Sequence, residues 1–161
     1  METIKYFGHI RDLILIDALE TECFFDGDNL KLDVNLDGGY PTYDWVTELN
    51  CYLNQLTQIK QKVVEAIHTD YDNNGVSKDL ISFYMDDCDE EFQNELIAGT
   101  DGLLPIDERL LEAHVLRRIG FYPTDNHYAV WDFRLNPQLS DQILVVMTTE
   151  KGDVINVAWE S

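Results

Sequence analysis

The segment Tyr43–His68, YDWVTELNCYLNQLTQIKQKVVEAIH, decides the fold class of this chain. Its large apolar residues are separated by four, three, four, three, four and four positions, which is the spacing of one stripe along an α-helix. These residues are Trp45, Leu49, Tyr52, Leu56, Ile59, Val63 and Ile67. The opposite face is polar. The pattern predicts a long amphipathic helix, with Thr42 as its N-cap, that packs on a hydrophobic core.

The residues before this helix alternate in the manner of strands. Leu30, Leu32, Val34 and Leu36 are separated by polar residues, and the turn Asp26–Asn29 precedes them. Alternation beside a glycine-containing turn predicts a β-hairpin with one exposed face. Two shorter apolar runs are less decisive. The first predicts a strand over residues 4–7, and the second, residues 13–16, fits either a strand or a buried loop.

The remainder of the chain predicts helices and then strands. A second helical region begins at Ser77 and extends to about Ala98, with a possible division at Asp86-Asp87, and residues 105–111 suit one more helical turn. Four strands follow, at residues 114–122, 128–135, 143–149 and 154–159. We therefore predict a single α+β domain over residues 1–161. Its antiparallel sheet combines the N-terminal hairpin with a C-terminal four-strand meander, and two main helices pack on one face.

The composition restricts the classes of partner. The 161 residues include 31 acidic and 11 basic side chains, which gives a formal net charge of −20. Such a chain repels nucleic acid and anionic membranes, and it suits a basic protein partner, cations or simply high solubility. The widely spaced Cys23, Cys51 and Cys88 predict free thiols, and residues 1–5 lack the pattern of a signal peptide. We expect a cytoplasmic protein without a cofactor.

The densest charge lies in the run Asp86-Asp87-Cys88-Asp89-Glu90-Glu91. Like charges this close repel one another unless a partner relieves them, and an acidic surface accelerates association with basic proteins. The alternative is a solvated helix face. The predicted partner-binding residues are Asp86, Asp87, Asp89, Glu90 and Glu91, followed by Asp26 and Asp28 on the hairpin.

A weaker motif indicates a divalent cation. Asp70, Asp72, Asn74 and Gly75 match the first half of a helix-loop-helix calcium loop. The second half fails, because Ile81 occupies the twelfth position, where a bidentate glutamate is required. An ordinary turn between two helices explains the same residues without a metal.

No motif supports catalysis. The four histidines stand singly, and the sequence contains neither a nucleophile elbow nor a phosphate-binding glycine loop. An unrecognised hydrolase would have to use Asp132 or His114 in a cleft on the sheet. A cross-strand ion pair of Asp132 with Arg117 or Arg118 is the simpler interpretation, so we assign no catalytic residue.

Three short segments, together with the hairpin and the long helix, carry a resemblance that covers most of the chain. Tyr6-Phe7-Gly8-His9-Ile10, Arg118-Ile119-Gly120-Phe121-Tyr122-Pro123 and Glu150-Lys151-Gly152-Asp153-Val154 resemble a family of small bacterial proteins of unknown function. Members of that family are similar in layout to immunity proteins of bacterial toxin systems. The resemblance implies an α+β fold and a protein-binding role, and it transfers no catalytic residue. The expected function is that of a non-enzymatic acidic module that neutralises or regulates a basic partner.

Overall fold

The computed structural model describes residues 2–37 and 39–161. It contains eight strands and five α-helices within those residues. In chain order these are β1 (Glu2–Ile4), β2 (Gly8–Ile10), β3 (Ala18–Phe25), β4 (Asp28–Asn35), α1 (Trp45–Asn54), α2 (Leu56–Asp72), α3 (Val76–Asp87), α4 (Glu90–Leu96), α5 (Ile106–Glu112), β5 (Val115–Phe121), β6 (Ala129–Arg134), β7 (Ile143–Thr148) and β8 (Val154–Glu160). The α+β class is confirmed.

The main sheet has six strands in the order β3-β4-β5-β6-β7-β8, and β1 and β2 form a separate two-stranded ribbon. The hairpin and the meander are joined by β4 and β5, which are parallel. The prediction of an all-antiparallel sheet was therefore wrong. Parallel neighbours require a long crossover connection, and here the five helices provide it by returning the chain to the end of the sheet where β4 begins.

The two short N-terminal runs also differ from their predictions. The predicted strand over residues 4–7 ends at Ile4, because Tyr6 adopts a φ of 68° in the turn that leads to β2. Residues 13–15 form a 3-10 turn, in which Ile14 and Leu15 are about four-fifths exposed. This run is therefore neither a strand nor a buried loop.

The predicted long helix consists of two helices. It breaks at Gln55, whose backbone N–H donates to the Tyr52 carbonyl at 2.9 Å, and α2 continues from Leu56. The N-cap is Asp44 rather than Thr42, since the Asp44 carboxylate accepts from the Thr47 N–H at 3.1 Å. The apolar stripe survives the break, because all seven of its residues are buried. Its predicted packing on a core is confirmed.

The helices and the inner face of the sheet share one hydrophobic cluster. At its centre, the Tyr52 hydroxyl accepts from Trp131 Nε1 at 2.8 Å and lies 2.6 Å from the Thr148 hydroxyl. These bonds satisfy polar groups that would otherwise be costly to bury. The opposite face of the sheet carries polar side chains of β4, β5 and β6, among them Arg118 and Asp132.

Candidate functional site

The five acidic residues of the predicted run form a corner between α3 and α4. Asp86 and Asp87 end α3, Cys88 turns the chain, and α4 begins after Asp89. The predicted division at Asp86-Asp87 is thus confirmed. All five acidic side chains are exposed. We call Asp86, Asp87, Asp89, Glu90 and Glu91 the acidic corner.

Folding explains the charges of α4 but not those of α3. The Asp89 carboxylate caps α4 by accepting from the Phe92 N–H at 2.8 Å, and Glu90 and Glu91 lie in its first turn. Negative charge is favourable at that end of a helix. Asp86 and Asp87 instead lie at the C-terminal end of α3, where the helix dipole disfavours acids and no basic residue occupies the last turn.

The charge of the corner is not balanced nearby. Residues 79–108 contain ten acidic side chains and no lysine or arginine. Within the part of the chain that the structure describes, none of the five corner carboxylates forms an ion pair. The corner therefore presents concentrated negative charge to solvent.

A cavity of about 380 Å³ adjoins this corner. Phe83, Cys88 and Phe92 supply its apolar wall, and the loop of residues 137–142 between β6 and β7 forms the other side. A contact of 2.6 Å between the hydroxyls of Tyr84 and Ser140 ties that loop to α3. Burial, followed by the charges of Asp87 and Asp89, raises the pKa of the Cys88 thiol. Cys88 is therefore protonated and acts as an apolar wall residue.

The loop at residues 137–142 and the C-terminal strand are the parts of this site that sequence reasoning missed. Asp141 is an exposed residue of the loop and adds a carboxylate to the rim. Trp159 packs on Phe83 with ring centroids 5.6 Å apart, and its Nε1 donates to Gln142 at 2.7 Å. The sequence pattern carries no information about which helix this loop contacts.

The hairpin tip belongs to a different surface. Asp26 forms an ion pair with Lys60 of α2, and Asp28 is exposed at the start of β4. Asp26 and Gly27 both have positive φ values, 51° and 88°, as a two-residue hairpin turn requires. Asp26 therefore has a role in folding, and the tip faces α2.

In the structure, the first residue of the predicted calcium loop, Asp70, caps helix α3. Asp70 is the last residue but two of α2, and its carboxylate accepts from both the backbone N–H and the hydroxyl of Ser77, at 2.8 and 2.5 Å. Gly75, the N-cap of α3, has no side chain to perform this capping. Asp72 and Asn74 are exposed, and no group of three potential metal ligands occurs among the described residues.

Replacing Asp70 with alanine is expected to lower the free energy of unfolding by about 1–3 kcal/mol, because the fully buried Ser77 would lose its capping acceptor. Urea unfolding of the wild type and the variant, with and without calcium, measures this loss. The matched control is Asp72→Ala, which removes an exposed loop carboxylate and should change stability by less than about 0.5 kcal/mol. A calcium-dependent rise in stability that disappears in either variant would instead support the metal interpretation.

The residues considered for a hydrolase do not converge. Asp132 lies on the outer face of the sheet, where Arg118 Nη1 donates to it at 3.0 Å, which confirms the predicted cross-strand ion pair. His114 is buried on the helix side, between α5 and β5, and its Nδ1 is 2.8 Å from the Leu110 carbonyl oxygen. The two side chains therefore cannot act on one substrate.

Comparisons with known proteins identify no relative. No family model matches the chain, and neither does any curated protein or solved structure. The resemblance to small bacterial proteins of immunity-like layout therefore stays a prediction. Among the helices described, none is long and apolar enough to cross a membrane.

Proposed function

We propose that this protein is a non-enzymatic binding module that docks a basic protein on the acidic corner. The observation that carries the proposal is the placement of Asp86 and Asp87, which lie unpaired at the unfavourable end of α3. Acids in this position weaken the helix. A basic partner would neutralise these two charges, and the relief of the unfavourable interaction with the helix dipole would stabilise the complex.

The adjoining cavity supports the same proposal. An apolar depression with a charged rim is the usual setting for an anchoring side chain of a partner protein. Here Phe83 and Phe92 would contact the aliphatic stem of a partner arginine or lysine, while Asp141 on the rim would contact its cationic head. Arginine suits the site better, because its planar group also stacks on aromatic rings.

The biological role follows from the resemblance rather than from the geometry. If the immunity-like layout reflects common function, the basic partner is a toxin that this protein neutralises in the cytoplasm. Charge-steered docking would make the complex form rapidly and depend strongly on salt.

Reversing the charges of Asp86 and Asp87 to lysine is expected to slow association with the basic partner by on the order of tenfold or more at low salt. The partner is first isolated from cell lysate by salt elution, and stopped-flow mixing then measures the rates. The same variant should be slightly more stable than the wild type, since lysines suit the C-terminal end of α3. Slower binding by a more stable protein cannot be attributed to unfolding.

The matched control is the double variant Asp12→Lys and Asp17→Lys, which makes the same change in net charge at two exposed loop residues. We expect its association rate to fall by less than about threefold, through net charge alone. Equal slowing by both double variants would mean that overall charge, and not the acidic corner, governs binding. Unchanged rates in the Asp86 and Asp87 variant would refute the proposal.

A further inference from the structure

The main sheet has two edge strands, β3 and β8, and they differ in charge. An edge strand directs the backbone N–H and C=O groups of alternate residues away from the sheet, where another chain can pair with them, and charged side chains are a common protection. The exposed Glu20 and Glu22 protect β3 in this way. Residues 154–159 of β8 include neither a charged residue nor a proline. Among the described residues, no backbone hydrogen bond joins β8 to an element other than β7.

The second half of β8 is a regular strand. Its residues Asn156–Glu160 pair with β7 without interruption, from Met147 opposite Asn156 to Ile143 opposite Glu160. The register shifts before Asn156, where Ile155 is the extra residue of a bulge. A bulge bends its strand and disturbs pairing, so residues 156–160 are the part of the edge that another strand can follow. The midpoint of this part is Ala158.

This segment is complementary to itself. A twofold axis beside Ala158 would pair it antiparallel with the same segment of a second copy. Trp159 would then lie opposite Val157 of the second copy, which is a favourable aromatic and β-branched pair. Asn156 would lie opposite Glu160, and its amide group can donate to that carboxylate. The arrangement places no like charges opposite each other.

The side chains at this edge also favour a second copy of the chain as the partner. Trp159 is 36% exposed although it packs on Phe83, and Val157 on the same face is half-buried. Pairing would remove part of this apolar surface from water. We propose that two copies of this chain pair through residues 156–160 of β8, about a twofold axis, so that their main sheets form one continuous sheet. The proposed docking of a basic protein makes no use of this edge.

The salt dependence of this dimer should be opposite to that of basic-protein docking. Each copy has a formal net charge of −20, so two copies repel, and salt screens the repulsion. Sedimentation velocity in about 0.5 M NaCl should show a monomer–dimer equilibrium with a Kd on the order of 10 μM, as expected for a small interface. Dimerisation should weaken by about tenfold or more in about 0.05 M NaCl. A protein that stays monomeric at about 1 mM in high salt, or that forms species larger than a dimer, would overturn the proposal.

Cysteine cross-linking tests the register. In the proposed dimer the two copies of residue 158 are opposite each other, with Cα atoms about 4.5–5.5 Å apart, which is within the range of a disulfide. Mild oxidation of Ala158→Cys should therefore yield a covalent dimer, in which peptide mapping finds the link between the two copies of residue 158. The control is Asn156→Cys, whose two copies would be more than about 13 Å apart and should not cross-link. Both variants retain the three native cysteines, so links through those appear equally in both. Equal cross-linking of the two variants would overturn the assigned register.

A charge variant tests the edge without oxidation. Ala158→Lys places two lysines opposite each other and should raise the dimer Kd by about tenfold or more, although it lowers the net negative charge of each copy. The matched control Asn126→Lys makes the same change in charge at an exposed loop residue and should leave the Kd unchanged or slightly lower. Circular dichroism checks that both variants are folded. An unchanged Kd in folded Ala158→Lys would overturn the proposal, and the cross-linking result decides the matter if that variant does not fold.

Discussion

Replacing Arg118 with methionine is expected to lower the free energy of unfolding by about 3 kcal/mol, one of the two largest effects we predict. Arg118 Nε and Nη2 donate to the two oxygens of Asp33 at 2.6 and 2.8 Å, and Nη1 donates to Asp132 at 3.0 Å. Both carboxylates are largely buried, with exposed side-chain fractions of 8% and 15%. Without the guanidinium they would remain as unpaired charges. Denaturant unfolding at pH 7 measures the loss.

The destabilisation caused by the unpaired carboxylates can be distinguished from the destabilisation caused by lost packing of the Arg118 side chain. Adding Asp33→Asn and Asp132→Asn to the Arg118→Met variant removes the stranded charges and should restore a large part of the stability. Lys31 is the control, because it neighbours Arg118 across the parallel pair but forms only an exposed contact of 3.4 Å with Glu20. Lys31→Met should cost less than about 0.5 kcal/mol. Similar losses for Arg118→Met and Lys31→Met would contradict the burial argument.

Gly120 has a specific part in this network. A Cβ atom at residue 120 would lie 2.5 Å from Arg118 Nη2, so only glycine lets the guanidinium lie across the sheet toward Asp33. Asp33 and Gly120 are paired in register between β4 and β5. The parallel pairing that the sequence pattern missed is therefore the pairing that brings Asp33 beside Arg118 on the outer face.

The periodicity of apolar residues was sufficient to predict most of the helices and strands. It was not sufficient to predict whether neighbouring strands run parallel or antiparallel. The stripe from Trp45 to Ile67 is buried as its spacing predicted, because a helix repeats over a few residues and the pattern lies within one segment. Alternation along β4 and β5 says which side chains share a face, but it is identical for parallel and antiparallel neighbours. The path of the chain through five helices determines that β5 runs parallel to β4, and this path cannot be predicted from a local sequence pattern.

The candidate site likewise combines residues that the local sequence predicts with residues that only the fold brings together. The acidic residues from Asp86 to Glu91 were predicted from charge density alone, whereas one side of the adjoining cavity comes from residues 137–142, about fifty positions away. From the sequence, His114 was considered only as a residue of an unrecognised hydrolase. The buried environment of His114 results from tertiary packing, which the sequence does not reveal. Nδ1 is hydrogen-bonded to the Leu110 carbonyl, and Nε2 is buried without a hydrogen-bond partner in the part of the chain that the structure describes.

Acid is expected to destabilise the protein through His114 by about 3 kcal/mol between pH 6.5 and pH 4. Burial lowers the pKa of the folded imidazole from 6.5 to about 4. Between these values the unfolded state binds a proton that the folded state does not, so stability falls as the pH falls, by about 1.4 kcal/mol per pH unit. Above pH 6.5 the effect is absent. Urea unfolding at intervals from pH 4 to pH 7.5 measures it.

The 31 acidic side chains also titrate over part of this range, so the informative quantity is the difference between wild type and His114→Asn. The wild type should lose about 3 kcal/mol more than this variant on going from pH 7.5 to pH 4. His127→Asn is the control, because His127 is exposed in the loop between β5 and β6 and its hydration changes little on unfolding. Parallel stability curves for the wild type and His114→Asn would mean that the imidazole reaches water in the folded state. Such a result would contradict the burial of His114, whereas the acidic corner would be unaffected.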